Sequence, residues 1–456
     1  MTELWAPSAW IAGAWHEQVL LEVGADGRWR RVTRAVPCPP GATRLPGPAL
    51  PGLVDAHSHA FQRAFTGLAE RRVGARDDFW SWRERMYGVA RRIDADQLRA
   101  VATQLYVELL TGGYTQVCEF HYLHHAPDGQ PETDPLAMSY ALAEAADDAG
   151  IGLTLLPVLY ERAGFGATTL RQDQRRFATD VDSVLALRDG IRALASPRLN
   201  AGVAIHSLRA ADPDSIHALA RRLGDDPAPV HIHIAEQTAE VDDCLAATGL
   251  RPIEWLCREG LPDARWHLVH ATHASAAEVD AVAACGAGVV LCPATEANLG
   301  DGLPDLPRWL ASPTPLSIGS DSQVSRHWAE ELRWLEYGQR LALRQRNVAA
   351  DMAAGGGASA ARLFERTLAG GGAAAGQPLW GLVAGAPADL LVVDTAAPGL
   401  LGLPGSHLLD AIVFATDAPA FTEVWVGGRR VVAGGRHRRQ AQAAQAFVGA
   451  MHGLWP

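Results

Sequence analysis

Five residues spread over most of the chain, His57, His59, His233, His270 and Asp321, constrain its fold more than any other feature. Each stands at the end of a short apolar run that reads as a β-strand. Residues 49–56 lead into His57-Ser58-His59, 229–234 surround His233, 266–269 precede His270 and 316–320 precede Asp321. Residues i and i+2 of a strand share a face, so His57 and His59 are able to point inward together. Imidazole nitrogens joined by one carboxylate oxygen suit a single divalent ion, with zinc (Zn2+) expected and iron (Fe2+) the alternative. One His-x-His pair says little. The ordered set, each member at a strand end, requires a fold that gathers distant strand ends at one point.

Between residues 49 and 322 there are eight apolar, β-prone runs: 49–56, 114–122, 152–160, 201–207, 229–236, 266–272, 288–295 and 316–322. Most are separated by stretches of helical periodicity, such as 95–111, 135–149 and 275–285. This alternation, with polar residues gathering where strands end, is the pattern of a (β/α)8 barrel, whose chemistry lies at the C-terminal face. A doubly wound open sheet is the alternative. The metal-type residues come from the first, fifth, sixth and eighth runs, which a closed barrel brings together more easily. The flanks differ. Residues 10–32 alternate like two or three short strands, with turns at Gly13-Ala14 and 24–27. A long helical stretch (329–368) and a Gly/Ala-rich break (369–376) are followed by strand-like runs at 389–394, 411–414 and 423–426, and by a hairpin at Gly427-Gly428 leading into 429–432. Both ends are expected to pair in one small β-domain (1–48 and 377–456), with the barrel (49–376) inserted between its halves.

A chain of 456 residues, 48% hydrophobic and 20% charged, is large enough for a sizeable core and for more than one domain. Its formal charge of −11 argues against nucleic acid or an anionic membrane as partner. The sequence contains no lysine, every basic side chain being arginine, which excludes a Schiff-base lysine, a P-loop lysine and a carboxylated lysine bridging two metals. The six cysteines lack C-x-x-C spacing and read as reduced, buried thiols. With Glu3 near the start, no basic run before an apolar segment and no continuously apolar run approaching the roughly 20 residues of a membrane span, a cytoplasmic protein is expected.

Two stretches, Pro51-Gly52-Leu53-Val54-Asp55-Ala56-His57-Ser58-His59 and Pro387-Ala388-Asp389-Leu390-Leu391-Val392-Val393-Asp394, resemble the amidohydrolase superfamily. That resemblance implies a distorted (β/α)8 TIM-like barrel with a small β-sandwich domain formed by both termini. His233-Ile234-Ala235-Glu236, followed by His270 and Asp321, is similar to its mononuclear deaminase branch. Further stretches resemble the formimidoylglutamate deiminases of bacterial histidine degradation: 59–64, Cys118-Glu119-Phe120-His121-Tyr122, 231–237, 268–273, 295–302 and Glu330-Glu331-Leu332-Arg333. Gln323 departs from the pattern, which has histidine in Gly-Ser-Asp-Ser-x. The resemblance implies hydrolysis of N-formimino-L-glutamate to N-formyl-L-glutamate and ammonia, with a homodimer as the assembly.

The residues support that chemistry on their own terms. A metal held by His57, His59, His233 and Asp321 would lower the pKa of its water toward neutrality. Asp321, or His270 beside it, would take the water proton and return one to the leaving nitrogen. Glu236 lies three residues beyond His233, placed to hydrogen-bond amidine N–H groups. A small-molecule dicarboxylate substrate calls for arginine forks, and Arg209, after the fourth strand, and Arg83, in an aromatic loop, are the candidates. The resemblance points to the same two, with Gln62, Tyr122 and His206 as hydrogen-bonding neighbours. His121, His124, His125, His231, His267 and His273 read as packing or supporting histidines, and Trp80 and Trp82 as the core of a loop more than as a purine-stacking wall. The rival readings are a deaminase of a nucleobase or guanidine-type compound, and a catalytically silent scaffold.

Overall fold

The computed structural model describes residues 2–72, 79–353 and 357–455. Its centre is a ring of eight parallel strands: β1 (Leu53–Ser58), β2 (Tyr114–His121), β3 (Gly152–Leu159), β4 (Val203–Ile205), β5 (Val230–Ile234), β6 (Trp266–His270), β7 (Gly288–Leu291) and β8 (Leu316–Ile318). They pair in chain order, and a parallel bridge between Ser58 and Asp321 joins the first strand to the segment after the last. The ring therefore closes, which removes the open-sheet alternative. Gly319 permits that closure, because a Cβ there would lie 2.7 Å from both Cβ and O of His57. The run expected at 201–207 divides into a short strand, Leu199–Ala201, beside β3, and β4 itself.

The helical stretch expected at 329–368 is two helices, Trp328–Leu343 and Ser359–Ala374, and the break expected at 369–376 is wrong for most of its length. Gly370, Gly371 and Gly372 lie inside the second helix because that helix rests directly on the barrel. A Cβ on Gly370 would sit 2.1 Å from Leu316 O, and one on Gly371 2.9 Å from Val54 Cβ. The terminal carbonyls of the helix, which have no partner within it, are received by the barrel floor. His231 Nε2–H donates to Ala374 O (2.9 Å), and Thr154 Oγ1 (3.1 Å) and Asn200 Nδ2 (2.8 Å) donate to Ala375 O. Replacement of Gly370 by Ala is expected to destabilise the protein by about 3 kcal/mol or more, since backbone meets backbone and no flexible side chain can yield. A urea midpoint equal to that of wild type would refute this account.

The termini meet in a second sheet of nine strands. Thr2–Ile11, Ala14–Val23 and Trp29–Thr33 come from one end, and Leu390–Val393, Phe421–Val426, Arg429–Ala433 and Arg436–His437 from the other. Ala49–Leu50 links the halves by pairing with Ala9 on one side and with Leu391 and Val392 on the other. Strand alternation divides the side chains between two cores. Leu390 and Val392 join Leu4, Leu21 and Trp29 in a small core, while Leu391 and Val393 face the main one. The Gly427-Gly428 hairpin forms as expected, with φ of 55° and 72°. The strand expected at 411–414 is instead part of a helix, Leu408–Phe414. Its buried residues Leu408, Leu409, Ile412 and Val413 recur at helical spacing, and Arg333 Nε donates to Val413 O (2.6 Å) near its end. Packing and capping there override the β propensity of Ile-Val-Phe.

Asp389 is buried in this sheet, and its carboxylate accepts the Gly427 N–H (2.7 Å). Burial raises its pKa from 3.8 to about 6, against the opposing effect of that hydrogen bond. A carboxyl raised on folding favours the native state at low pH, and that contribution is lost as pH rises from about 4 through 6. Asp389→Asn retains an acceptor for Gly427 and never ionises. Its stability relative to wild type is expected to grow by about 2 kcal/mol between pH 4 and pH 7. Thermal melts across that range would show a constant gap if burial of the charge is not what limits the wild type.

The cysteines are all free thiols. Cys118, Cys244 and Cys292 are buried, but Cys38 is exposed and Cys257 and Cys285 are half-buried, so the expectation of six buried thiols was too broad. Among the described residues no helix is long and apolar enough to cross a membrane.

Candidate active site

The C-terminal ends of β1, β5, β6 and β8 bring the five residues together. His57 Nε2 and His233 Nε2 lie 3.0 Å apart. Asp321 Oδ1 is 3.4 Å from both His57 Nε2 and His59 Nε2, and its Oδ2 is 3.9 Å from His270 Nε2. The candidate ligand atoms of His57, His59 and Asp321 lie within 4.8 Å of one another, as do those of His57, His233 and His270. His59 Nδ1–H donates to Phe120 O (2.9 Å), which turns the Nε2 lone pair toward the cluster. Burial lowers the pKa of His57 to about 3 and depresses those of His59 and His233. All three are neutral imidazoles with lone pairs converging beside a carboxylate, the donor set a divalent cation requires. Burial would raise Asp321, but hydrogen bonding and charge from His57, His270 and His59 hold it below the usual carboxylate range. His270 departs in the other direction. Burial would lower it, yet Glu236, Glu296 and Asp321 raise its pKa to about 10.

Backbone strain is concentrated here. Ala235, His270, Ala271, Asp321 and Gln323 all have positive φ, between 47° and 70°. A buried polar layer beneath them was missed in the sequence. Asp55 accepts from Ser320 N (2.8 Å) and Ser320 Oγ (2.5 Å), fixing the turn that carries Asp321. Glu119 accepts from Ser58 Oγ (2.8 Å) and Ala60 N (2.6 Å), fixing the segment between His57 and His59 and just beyond. Gln323, at the position where histidine was expected, is fully buried and donates through Nε2 to Asp321 O (2.8 Å) and Ser58 Oγ (3.1 Å). The residue thus braces both chain segments from below the cluster. The one available signal was an acidic residue inside an otherwise apolar strand, as at Asp55 and Glu119.

Gln62, Arg83, Tyr122, His206, Arg209 and Glu236 all line one cavity of about 50 Å³ with His59, His233, His270 and Asp321. Its other wall is the helix Phe79–Ala90, which contributes Phe79, Trp82, Met86 and Tyr87 besides Arg83. Gln62 Nε2 donates to Tyr122 OH (3.2 Å), and His206 packs edge-on against Tyr160 with centroids 4.4 Å apart. The guanidinium of Arg209 lies 5.7 Å from the Phe79 ring centre and that of Arg83 5.6 Å from the Tyr87 ring centre. Burial lowers the pKa of Arg83, and the charges of Arg209 and Arg171 act in the same sense, whereas Tyr87 opposes them. Glu236 Oε1 is 3.8 Å from His270 Nε2, and burial raises its pKa to about 7. Trp82 packs against Phe65 and Phe79, while the side chain of Trp80 lies outside the described residues. His231 and His267 pack together lower in the barrel, and His125 Nε2–H donates to Ala178 O (2.8 Å). A wider cleft of about 770 Å³ shares only the Tyr160 wall with this cavity. Three of its carboxylates already serve neighbouring groups: Asp134 accepts from Leu136 N, Glu161 from Asp212 N and Ser215 Oγ, and Asp180 from Ser183 N. The narrow cavity holds the convergent chemistry.

Residues 49–431 match the Amidohydrolase family. The chain is 47% identical over 451 residues, 98% of each protein, to a formimidoylglutamate deiminase of Pseudomonas aeruginosa. It is 28% identical to a 5-methylthioadenosine/S-adenosylhomocysteine deaminase of Natronomonas pharaonis, over 84% of this chain and 81% of that one. The crystal structure of an amidohydrolase from Brucella melitensis superposes with a TM-score of 0.95 at 42% identity, covering 100% of both chains. The chain belongs to the amidohydrolase family.

Proposed function

We propose that this enzyme hydrolyses N-formimino-L-glutamate to N-formyl-L-glutamate and ammonia. The observation that carries the reading is the convergence of two arginines, Arg83 and Arg209, on the same cavity as the histidine–aspartate cluster. It agrees with the full-length similarity to a formimidoylglutamate deiminase. One divalent ion, zinc in the first instance and iron as the alternative, would be held by His57, His59, His233 and Asp321. Its contribution is to lower the pKa of a water so that hydroxide is available near pH 7. The protein does the rest. Asp321 accepts one water proton as the oxygen bonds to the formimino carbon and the remaining hydroxyl proton as the formyl carbonyl forms. Asp321 and His270 between them deliver both to the terminal nitrogen, which leaves as ammonia when its carbon–nitrogen bond breaks. Glu236 accepts from the amidine N–H groups and orients the carbon toward the attack. Arg83 and Arg209, with Gln62, Tyr122 and His206, hold the two carboxylates.

A cavity of about 50 Å³ is too small for that substrate. Entry therefore requires one wall of the cavity to give way, and we propose that it is the helix Phe79–Ala90, which contributes Phe79, Trp82 and Tyr87. The same reading takes the assembly as a cytoplasmic homodimer, which sedimentation of the purified protein would check for oligomeric state. Ammonia release from N-formimino-L-glutamate by zinc-loaded protein, beside N-formimino-glycine, adenosine, guanine and cytosine, tests the substrate. Rapid release confined to the formimino-glutamate supports the assignment. Turnover of a neutral base, which has no use for two cations, would sink it in favour of a nucleobase deaminase, and silence on every substrate would favour a scaffold.

A further inference from the structure

We infer that Glu296 is a positioning residue that fixes the orientation of His270 by accepting its Nδ1–H. The inference rests on the deiminase reading only for the substrate used to measure turnover. Glu296 lies on a short helix, Pro293–Leu299, that follows β7, and it is 1% exposed. Its Oε1 lies 3.4 Å from His270 Nδ1 and accepts the Cys292 N–H (3.0 Å). An oxygen that already accepts from one backbone N–H meets the imidazole as an acceptor, so the proton on His270 belongs on Nδ1. Nε2 is then the nitrogen that faces Asp321 Oδ2 (3.9 Å) and Glu236 Oε1 (3.8 Å), where a proton must be received and passed on.

The residue beside it works on the neighbouring strand end. Thr295 Oγ1 lies 3.0 Å from Ser322 Oγ and accepts the Ser322 N–H (3.2 Å), adjacent to Asp321. Successive side chains of one short helix thus tie down the turns carrying His270 and Asp321, both of which have positive φ. A strained His270 backbone leaves the ring direction to be decided by its hydrogen bond, and Glu296 supplies that bond. The alternative is that Glu296 serves only as a cap on the Cys292 N–H.

Glu296→Gln separates the two roles, because a glutamine carbonyl still accepts from Cys292 and fills the same space while the charge is gone. Turnover number is expected to fall roughly 10- to 100-fold with KM and metal content unchanged. In proton NMR spectra of wild type, the His270 Nδ1–H should resonate far downfield of the amides, disappear in His270→Gln and move upfield in Glu296→Gln. Glu296→Asp keeps the charge but draws the carboxylate back from the ring and the cap alike, so a lower turnover number is expected there too, and its NMR spectrum stands in should the glutamine variant fail to fold. Unchanged turnover in either folded variant, or a downfield resonance indifferent to Glu296→Gln, would overturn the inference. Failure of wild type to release ammonia from N-formimino-L-glutamate would instead strike the substrate reading, leaving the NMR comparison to decide the role of Glu296.

Discussion

Asp321→Asn is expected to lower the turnover number by roughly 10³- to 10⁴-fold while leaving the fold intact. Asp321 joins three of the four histidines of the cluster: one oxygen lies 3.4 Å from both His57 and His59, and the other faces His270 at 3.9 Å. Asparagine keeps the shape and tolerates the positive φ of 47° better than other residues would, so backbone strain does not confound the comparison. What it loses is the anion that attracts a cation and the base that accepts a proton. Metal content and turnover measured on the same preparation separate these. Retained metal with lost turnover assigns the defect to proton transfer, and lost metal assigns it to ligation. A turnover number within tenfold of wild type would remove Asp321 from the mechanism proposed above.

The His and Asp residues at strand ends were legible because a closed parallel barrel forces an inward-facing residue at each strand terminus toward one axis. Apolar runs ending in histidine or aspartate therefore reveal both the fold and the cluster. The layer beneath was not legible, since Asp55 and its partner Ser320 are 265 residues apart and nothing local marks either as the other's neighbour. The same holds for Gln323, which looks like a departure in sequence yet is a buried brace between Ser58 and Asp321. Misreadings at 369–376 and 411–414 share one cause. Local propensity predicted a break and a strand, while contact with the barrel floor and capping by Arg333 favoured helix. Arg83 could not be singled out by composition where all 40 basic side chains are arginine. Its place in an aromatic stretch, read as a loop but in fact the start of the helix Phe79–Ala90, made it a candidate and resemblance strengthened it; the fold brings it to the same cavity as Arg209.

That pairing leads to the second large effect, which concerns substrate choice. Removing Arg209 by substitution with Met is expected to raise KM for N-formimino-L-glutamate about 10²- to 10³-fold, with a smaller change in turnover number. The two guanidiniums lie close enough for their charges to oppose one another, and burial adds to the cost at Arg83. A dicarboxylate relieves both, so binding energy is drawn from a pre-existing electrostatic strain as well as from new charged hydrogen bonds. Arg83→Met should behave similarly if each arginine grips one carboxylate. N-formimino-glycine, which lacks the distal carboxylate, discriminates between them. The arginine serving that carboxylate becomes dispensable for the shorter substrate, and its variant should then match wild type, while the other variant remains impaired. Equal losses on both substrates for both variants would mean that neither arginine reads the distal carboxylate. Selectivity for glutamate would then have to come from Gln62, Tyr122 and His206, whose neutral hydrogen bonds are worth about 0.5–1.5 kcal/mol each and would discriminate far less sharply.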